Sequence, residues 1–438
     1  MKILVLAYAC NPFHGSEEGV GWGWVNAIAQ HHEVWVLTAA YHRHDLEEAL
    51  CREPENRERI HFAYVEEKPW HYRPTPAWIR IENSLIKPIM NWAYRSWLSS
   101  AFTLGSLLHG EIHFDLAHQI TYVGFRFPGH LWKLHVPFVW GPIGGLENTP
   151  WRLLRTMGPR GAVYYGARNV VNSMHRRFLR QPRKALCAAG PGVIAATRGI
   201  RREIRRWYGV DSEVICEVGL PPETVDKCPL RANGEPLRLA WSGRLLPGKA
   251  LHLLLRALGH VPDTTVWQLD IYGDGPCAVT WQRLAARLGI GSRCTWHGQV
   301  SRAEALAGLK SAHLFVTTSL KDLTSTVILE ALASGVPVVC PDHCGFADVV
   351  NEHCGFKLPI GNVREFETEL SRAIVAIARD ETMRCRLAEG ALRRARDFTW
   401  KAKAEAIERV YDRVFRAARE RDVAVFNIAM EALAHSSR

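Results

Sequence analysis

His313-Leu-Phe-Val-Thr-Thr-Ser-Leu-Lys-Asp322-Leu-Thr-Ser-Thr-Val-Ile-Leu-Glu330-Ala-Leu-Ala-Ser-Gly335-Val-Pro-Val-Val-Cys340 decides the fold. An apolar, aromatic and β-branched run, His313–Thr317, has the character of a buried strand. A polar loop follows, and hydroxyl residues at Thr324, Ser325 and Thr326 offer caps to a helix over Thr326–Ser334. A second buried strand, Pro337–Cys340, comes after Gly335. Strand, helix and strand at this spacing predict a parallel pair with a right-handed crossover.

The same alternation runs outward in both directions. Upstream, Leu237–Ser242, Trp267–Tyr272 and Cys294–His297 read as strands, and Lys249–Leu258, Pro276–Leu288 and Arg302–Leu309 as helices. The first half repeats it, with strands at Ile3–Ala9, Glu33–Ala39, Ile60–Val65, Asp115–Ile120, Val136–Trp140, Gly192–Ala196 and Glu213–Val218. Helices are expected at Trp22–Gln30 and Asp45–Cys51. Gly219–Pro236 holds Pro221-Pro222, Pro229 and Asn233-Gly234-Glu235-Pro236, a linker composition. The predicted class is α/β, with two doubly wound Rossmann-like domains facing across a cleft. They cover residues 1–220 and 237–400, joined by a linker at 221–236, and residues 401–438 are expected to form helices packing back toward the first domain. In such sheets ligands sit at the carboxyl ends of strands, and a cleft between two of them is the expected site.

Composition sets the outer limits. At 438 residues the chain exceeds one core, and 47% apolar with 23% charged residues excludes a disordered chain. Eleven cysteines in no repeating pattern exclude a disulfide scaffold and suit reduced thiols. Ile3–Ala9 is too short for a signal peptide, and no stretch reaches the roughly 18 apolar residues of a span. A cytoplasmic protein, or one peripheral on the inner face of the membrane, is expected.

The formal charge of +11 is local. Trp151–Val210 holds 14 Lys and Arg against one acid, Glu203, while the remainder nets −2. An anionic membrane or lipid phosphate is the first candidate partner of 151–210. A solvated helical face comes second. Nucleic acid comes last, since no zinc-finger spacing, heptad repeat or RNA-recognition motif is present.

Three motifs carry chemistry. Trp241-Ser-Gly-Arg-Leu-Leu-Pro-Gly-Lys249 follows a strand and opens a helix, so its backbone N–H groups suit phosphate, with Arg244 and Lys249 adding charge. A turn with two solvated cations is the competing reading. Asp322 and Glu330 lie eight residues apart, one on a loop and one inside a helix. Glu330 stands between Leu329 and Ala331, where an unpaired acid is costly, and a carboxylate there can accept two hydrogen bonds from a vicinal diol. Asn11–Gly23, with Gly15, Gly19, Gly21 and Gly23, reads as a loop allowing close backbone approach, not as a dinucleotide fingerprint.

Together these residues resemble the retaining nucleotide-sugar glycosyltransferases of family 4 (glycosyltransferase group 1), with the GT-B fold. G-R-L-x-x-x-K matches Gly243, Arg244, Leu245 and Lys249. The E-x7-E element matches Asp322 and Glu330, and E-A-x-A-x-G-x-P-V-V runs from Glu330 to Val339. Gly273-Asp274-Gly275, His297-Gly298, His118 near a strand end, and Phe398-Thr-Trp400 also match.

The resemblance implies a retaining, metal-independent glycosyltransferase of the hexosyltransferase type. It would take a sugar from a nucleoside diphosphate to a glycan or lipid-linked acceptor, in polysaccharide or glycolipid biosynthesis. Arg244 and Lys249 would bind the diphosphate, Glu330 the ribose hydroxyls and Asp322 the transferred sugar. His118 would reach the sugar from the first domain. Thr324, Ser325 and Thr326 would offer backbone N–H groups, and Gly15, Gly243, Gly273 and Gly345 would border the donor. No cofactor is implied beyond the nucleotide sugar as co-substrate. Two departures, Asp322 for Glu and Ser325 for Gly, bear on the donor sugar more than on the reaction. The rivals are a GT-B epimerase, needing no acceptor, and a non-catalytic nucleotide-sugar binder.

Two other clusters are weaker. Cys340, His343, Cys344, His353 and Cys354 lack the spacing of a zinc knuckle, and no Asp-x-Asp pair occurs, so no metal is expected. Trp78, Ile81, Leu85, Ile89 and Trp92 recur at helical spacing, with Trp97 beyond. They suit a buried helix face, or an interfacial helix flanked by Arg80, Lys87 and Arg95.

Overall fold

The computed structural model describes residues 1–53, 58–66, 87–221, 230–232 and 234–436. The first sheet contains β1 (Lys2–Ala7), β2 (Glu33–Ala39), β3 (Ile60–Val65), β4 (Leu116–Thr121), β5 (Phe138–Ile143), β6 (Val193–Ala195) and β7 (Glu213–Val214). Its order is β3-β2-β1-β4-β5-β6-β7, with every pairing parallel. The connecting helices are α1 (Ser16–Ala29), α2 (Arg43–Arg52), α3 (Lys87–Ile112), α4 (Gly158–Phe178), α5 (Arg180–Ala189) and α6 (Arg198–Tyr208).

The second sheet contains β8 (Leu237–Ser242), β9 (Trp267–Tyr272), β10 (Cys294–Gly298), β11 (Leu314–Val316), β12 (Val338–Pro341) and β13 (Gly355–Leu358). Its order, β10-β9-β8-β11-β12-β13, repeats that of the first, again all parallel. Around it lie α7 (Leu251–Leu258), α8 (Ala278–Arg287), α9 (Arg302–Ser311), α10 (Thr326–Ala333), α11 (Phe346–Val349), α12 (Val363–Arg379) and α13 (Glu381–Ala395). The chain ends in α14 (Trp400–Ser436).

In each sheet the order reverses between the first and fourth strands, β1 and β4 or β8 and β11. Such a switch point opens a crevice at the carboxyl ends of the strands. In the second sheet the two quoted motifs are the loops that leave β8 and β11.

Four expectations are adjusted. Most of Asn11–Gly23 is not loop: α1 begins at Ser16, and Gly19, Gly21 and Gly23 are helical. A Cβ on Gly21 would lie 2.0 Å from the Ala9 carbonyl oxygen, so this glycine lets α1 lie against the chain leaving β1. β7 stops at Val214 because the chain then leaves the sheet, with Leu220 N–H donating to the Phe398 carbonyl at 2.9 Å and Trp400 N–H to Leu220 at 3.0 Å. The short edge strand β13, which starts on a glycine, carries no alternation long enough to read. Of the tryptophan-rich series, Trp78, Ile81 and Leu85 lie outside the described residues. Trp97 is buried on α3 and Trp92 is exposed.

Two segments cross between the domains. After Trp400, α14 returns to the first domain. There Glu408 meets His32 at 2.7 Å, and Arg413 meets Glu213 at 2.9 Å and the Pro191 carbonyl at 3.2 Å. The second crossing corrects the assignment of 151–210 wholly to the first domain. Leu153, Leu154, Met157 and Tyr165 are buried in the core of the second sheet, with Leu245 and Leu251. Farther along α4, Asn169 is bound to Thr149, and Asn172 and Arg176 donate to the Leu146 carbonyl, each at 3.0 Å, on the first domain.

Candidate active site

The loops after β8 and β11 are stitched together. Leu320 N–H donates to the Gly248 carbonyl at 2.8 Å, and the Thr318 hydroxyl donates to the Lys249 carbonyl at 3.0 Å. Lys249 Nζ pairs with Asp322, and both side chains are about one-quarter exposed. The Lys249 stem lies over Gly243. Gly273, with φ +127°, would place a Cβ 2.1 Å from the Gly243 carbonyl oxygen, so only glycine lets these two strand-end turns touch. Gly345 N–H donates to the Leu323 carbonyl at 2.8 Å, and a Cβ there would strike the Thr324 hydroxyl at 1.9 Å. Gly243, Gly273 and Gly345 thus hold the loops in register.

A cavity of about 480 Å³ lies between the domains. Gly15 enters it from the first domain, Gly219 from the crossing, and Ser242, Arg302, Thr326 and Glu330 from the second. A Cβ on Gly15 meets nothing within 4 Å, so packing alone does not demand glycine there. Glu330 projects from the second turn of α10, with its side chain 13% exposed. Arg302 Nε and Nη2 both donate to its Oε1, at 3.1 and 2.6 Å. Arg244 does not line this cavity; it is exposed on the turn after β8, and its side chain makes no hydrogen bond or ion pair with another described residue.

Ser325 is the N-cap of α10 and makes no side-chain capping bond. Ser325 and Thr326 therefore sit where the first N–H groups of a helix favour an anion.

Two predicted residues stand elsewhere. His118 is fully buried inside β4, with Nδ1 at 2.8 Å from the Tyr411 hydroxyl and Nε2 at 2.9 Å from the Gly141 carbonyl. Burial pushes its pKa down to about 4. A neutral ring held on both nitrogens inside the core cannot reach a sugar in the cleft. Thr324 N–H is also committed, donating to Glu217 Oε1 at 2.7 Å. Of the three residues expected to offer N–H groups, Thr324 is therefore withdrawn.

Four residues at the domain junction were not foreseen. Arg302 was read only as a helix start. Glu17, in the first turn of α1, accepts from Val123 N–H at 2.9 Å, and burial raises its carboxyl to about 7. Lys321 donates across the junction to the Glu147 carbonyl at 2.6 Å, and burial lowers its ammonium to about 8. Glu217 is buried at the crossing and raised to about 7, against the pull of Lys403. Glu17 and Lys321 stand beside residues already singled out, but their burial is a tertiary property. Nearby, Arg198 N–H and Nε hold Asp348 at 2.6 and 2.5 Å, a second tie between the domains.

The cysteine and histidine cluster does not gather. Cys340 Sγ faces the Phe346 carbonyl, and Cys354 Sγ the Asn351 carbonyl. Among the described residues, a grouping with metal-ligand geometry is found instead at His44, Asp45 and Glu48, on the surface of α2.

Residues 224–394 match the family described as Glycosyl transferases group 1. The D-inositol 3-phosphate glycosyltransferase of Streptomyces bingchenggensis is 27% identical over 256 residues, 53% of this chain and 55% of that protein. The chain thus spans about half the length of that curated relative. Sucrose-phosphate synthase from Thermosynechococcus elongatus superposes with a TM-score of 0.63 at 18% identity, over 95% of this chain and 99% of that one. Anabaena HepE in complex with UDP gives 0.58 at 16%, over 94% and 100%. The fold is GT-B.

Proposed function

We propose, from the match of residues 224–394 to the glycosyl transferases group 1, that the chain is a retaining glycosyltransferase. It moves a sugar from a nucleoside-diphosphate sugar to a glycan or lipid-linked acceptor. The observation that carries this is the interdomain cavity, which Ser242 at the end of β8 and Thr326 and Glu330 of α10 line at the switch point of the second sheet.

The charge layout supplies the mechanism. Breaking the bond between the anomeric carbon and the phosphate leaves negative charge on the diphosphate and positive character on the ring. Arg244, Lys249 and the N–H groups of Ser325 and Thr326 face that leaving group, and fixed dipoles and cations at a developing charge lower the barrier. They supply the positive charge that other sites draw from a metal ion, so no metal or further cofactor is needed. Asp322, beside Lys249, is placed for the sugar hydroxyls, and Glu330 for the ribose diol. The acceptor hydroxyl attacks on the face the phosphate leaves, and its proton passes to the departing phosphate oxygen. The anomeric configuration is then kept, and no protein nucleophile takes part.

Among the described residues no helix is long and apolar enough to cross a membrane. The charge of the basic segment 151–210 suits an anionic membrane and supports the reading that the enzyme works peripherally, on the face where its acceptor lies.

The test is a thermal-shift screen with UDP, GDP and ADP and their sugars. A ligand at 100 times its Kd stabilises by about 2.7 kcal/mol. The responding sugar nucleotide is then supplied with candidate acceptors. A product with the donor's anomeric configuration supports the reading. An inverted product, or donor isomerised without an acceptor, overturns it.

A further inference from the structure

Helix α4 presents an unusual outer face. Val163, Ala167, Val170, Met174 and Phe178 recur at three- and four-residue steps, within an arc of roughly 80° at 3.6 residues per turn. All five are exposed, Val163 at 72% and Phe178 at 67%, and Trp151 just before the helix is 55% exposed. Arg160 and Arg177 edge this stripe, and both are exposed. Elsewhere in 151–210, the carboxylate-paired cations among the described residues are Arg176 with Glu203, Arg198 with Asp348 and Arg201 with Asp211. The other eleven basic groups of this segment are available to an outside anion.

Where α4 meets α5, a cavity of about 370 Å³ opens between that junction, α3 and the loop after β4. Its walls are mostly apolar, with Leu98, Phe127 and Leu179, and Arg95, Arg126 and Arg180 stand around it. Arg126 is half-buried and donates to His175 Nδ1 at 2.8 Å and to Asn172 Oδ1 at 2.5 Å. Both partners are uncharged, since burial and the neighbouring arginines hold the His175 pKa low. A cation taken partly out of water with neutral partners retains its demand for an anion.

We infer that the outer face of α4 docks on an anionic lipid bilayer, and that the cavity at its carboxyl end takes the phosphate and first methylenes of one lipid. The occupant follows from charge and shape together. An apolar stripe rimmed by arginine suits the boundary between headgroups and acyl chains, and the net +13 of Trp151–Val210 suits an anionic leaflet. The inference rests on the membrane-side reading of the acceptor and assigns it to particular residues.

The test is co-sedimentation of the full chain with phosphatidylcholine vesicles, with and without phosphatidylglycerol. Binding should require phosphatidylglycerol and weaken as salt rises. The charge-neutral triple variant Val170→Ser, Met174→Ser, Phe178→Ser should bind about tenfold or more weakly, with unchanged circular dichroism because these side chains are exposed. Arg126→Gln, with the stripe intact, should bind several-fold more weakly. Undiminished binding by the triple variant overturns the α4 assignment while membrane association stands. Undiminished binding by Arg126→Gln removes the lipid from the cavity. No binding to either vesicle sinks both the inference and the membrane-side reading, leaving donor use measurable on a soluble acceptor. Light scattering that shows a dimer broken by the triple variant would make the face a self-interface and overturn the proposal.

Discussion

Arg244 and Lys249 share one turn but are held differently. Arg244 is exposed without a described partner, and Lys249 is paired to Asp322. Arg244→Ala should therefore lower kcat/KM by about 100-fold or more, as for loss of one charge-stabilising donor, with little change in melting temperature. Asp322→Asn should divide two effects: turnover falls by about tenfold or more, while UDP or its equivalent binds no worse, because Lys249 is released toward the diphosphate. A steady-state assay beside calorimetric titration separates them.

Glu17 and Glu217 make a pH prediction. Each carboxyl is raised from 4.5 to about 7 by burial. Between those values the folded carboxyl holds its proton and the unfolded one does not, so stability falls as pH rises through the window and stays lower above it. Melting temperature measured from about pH 5 to 8 should fall less for Glu217→Gln than for the unaltered chain. The glutamine oxygen can still accept the Thr324 N–H, so the hydrogen bond is kept.

The residues legible in the sequence were those whose spacing is local. Gly243 to Lys249 and Asp322 to Glu330 each sit on one strand–turn–helix, so a single loop fixes them. His118 misled because a histidine near a strand end can face a cleft or the core, and only the packing of a helix 293 residues away distinguishes the two. The ties of Glu217 and Lys321 likewise lie between partners far apart in the chain.

At the scale of elements, α14 plugs the first sheet. Tyr411 is fully buried and its hydroxyl reaches His118, while Trp400 packs edge-on against Trp24 with centroids 6.0 Å apart. Tyr411→Phe leaves a buried imidazole nitrogen without its partner and should cost about 1–3 kcal/mol of stability. Turnover per folded molecule should be unchanged, which a melt and an assay on the same sample can check. A kcat loss without a stability loss would return His118 to the chemistry. The central parallel strands were readable because strands buried on both faces are near-continuous apolar runs. The start of α1 was not, since three glycines within eight residues give the composition of a loop, and only the close approach of Gly19 to the His14 carbonyl, Gly21 to the Ala9 carbonyl and Gly23 to the Trp400 ring explains them.

For the whole molecule, the net charge of +11 reduces to one segment, and the structure shows that this segment is not a tail of the first domain, since its helix α4 is laid across both. Its inner face is divided between two cores, and the polypeptide crosses again at Leu220 and Trp400. A door on two hinges turns only about the line through them. If the cleft opens and closes around a donor, the axis must run from the seat of α4 to Trp400, and the motion is a rotation about that line, not a parting of two halves. Spin labels on the two walls of the cavity, at the exposed His14 and Gln299, should change separation when the donor is added. Labels on Arg155 and Arg372, beside the seat where residues 151–157 touch α12, should keep theirs.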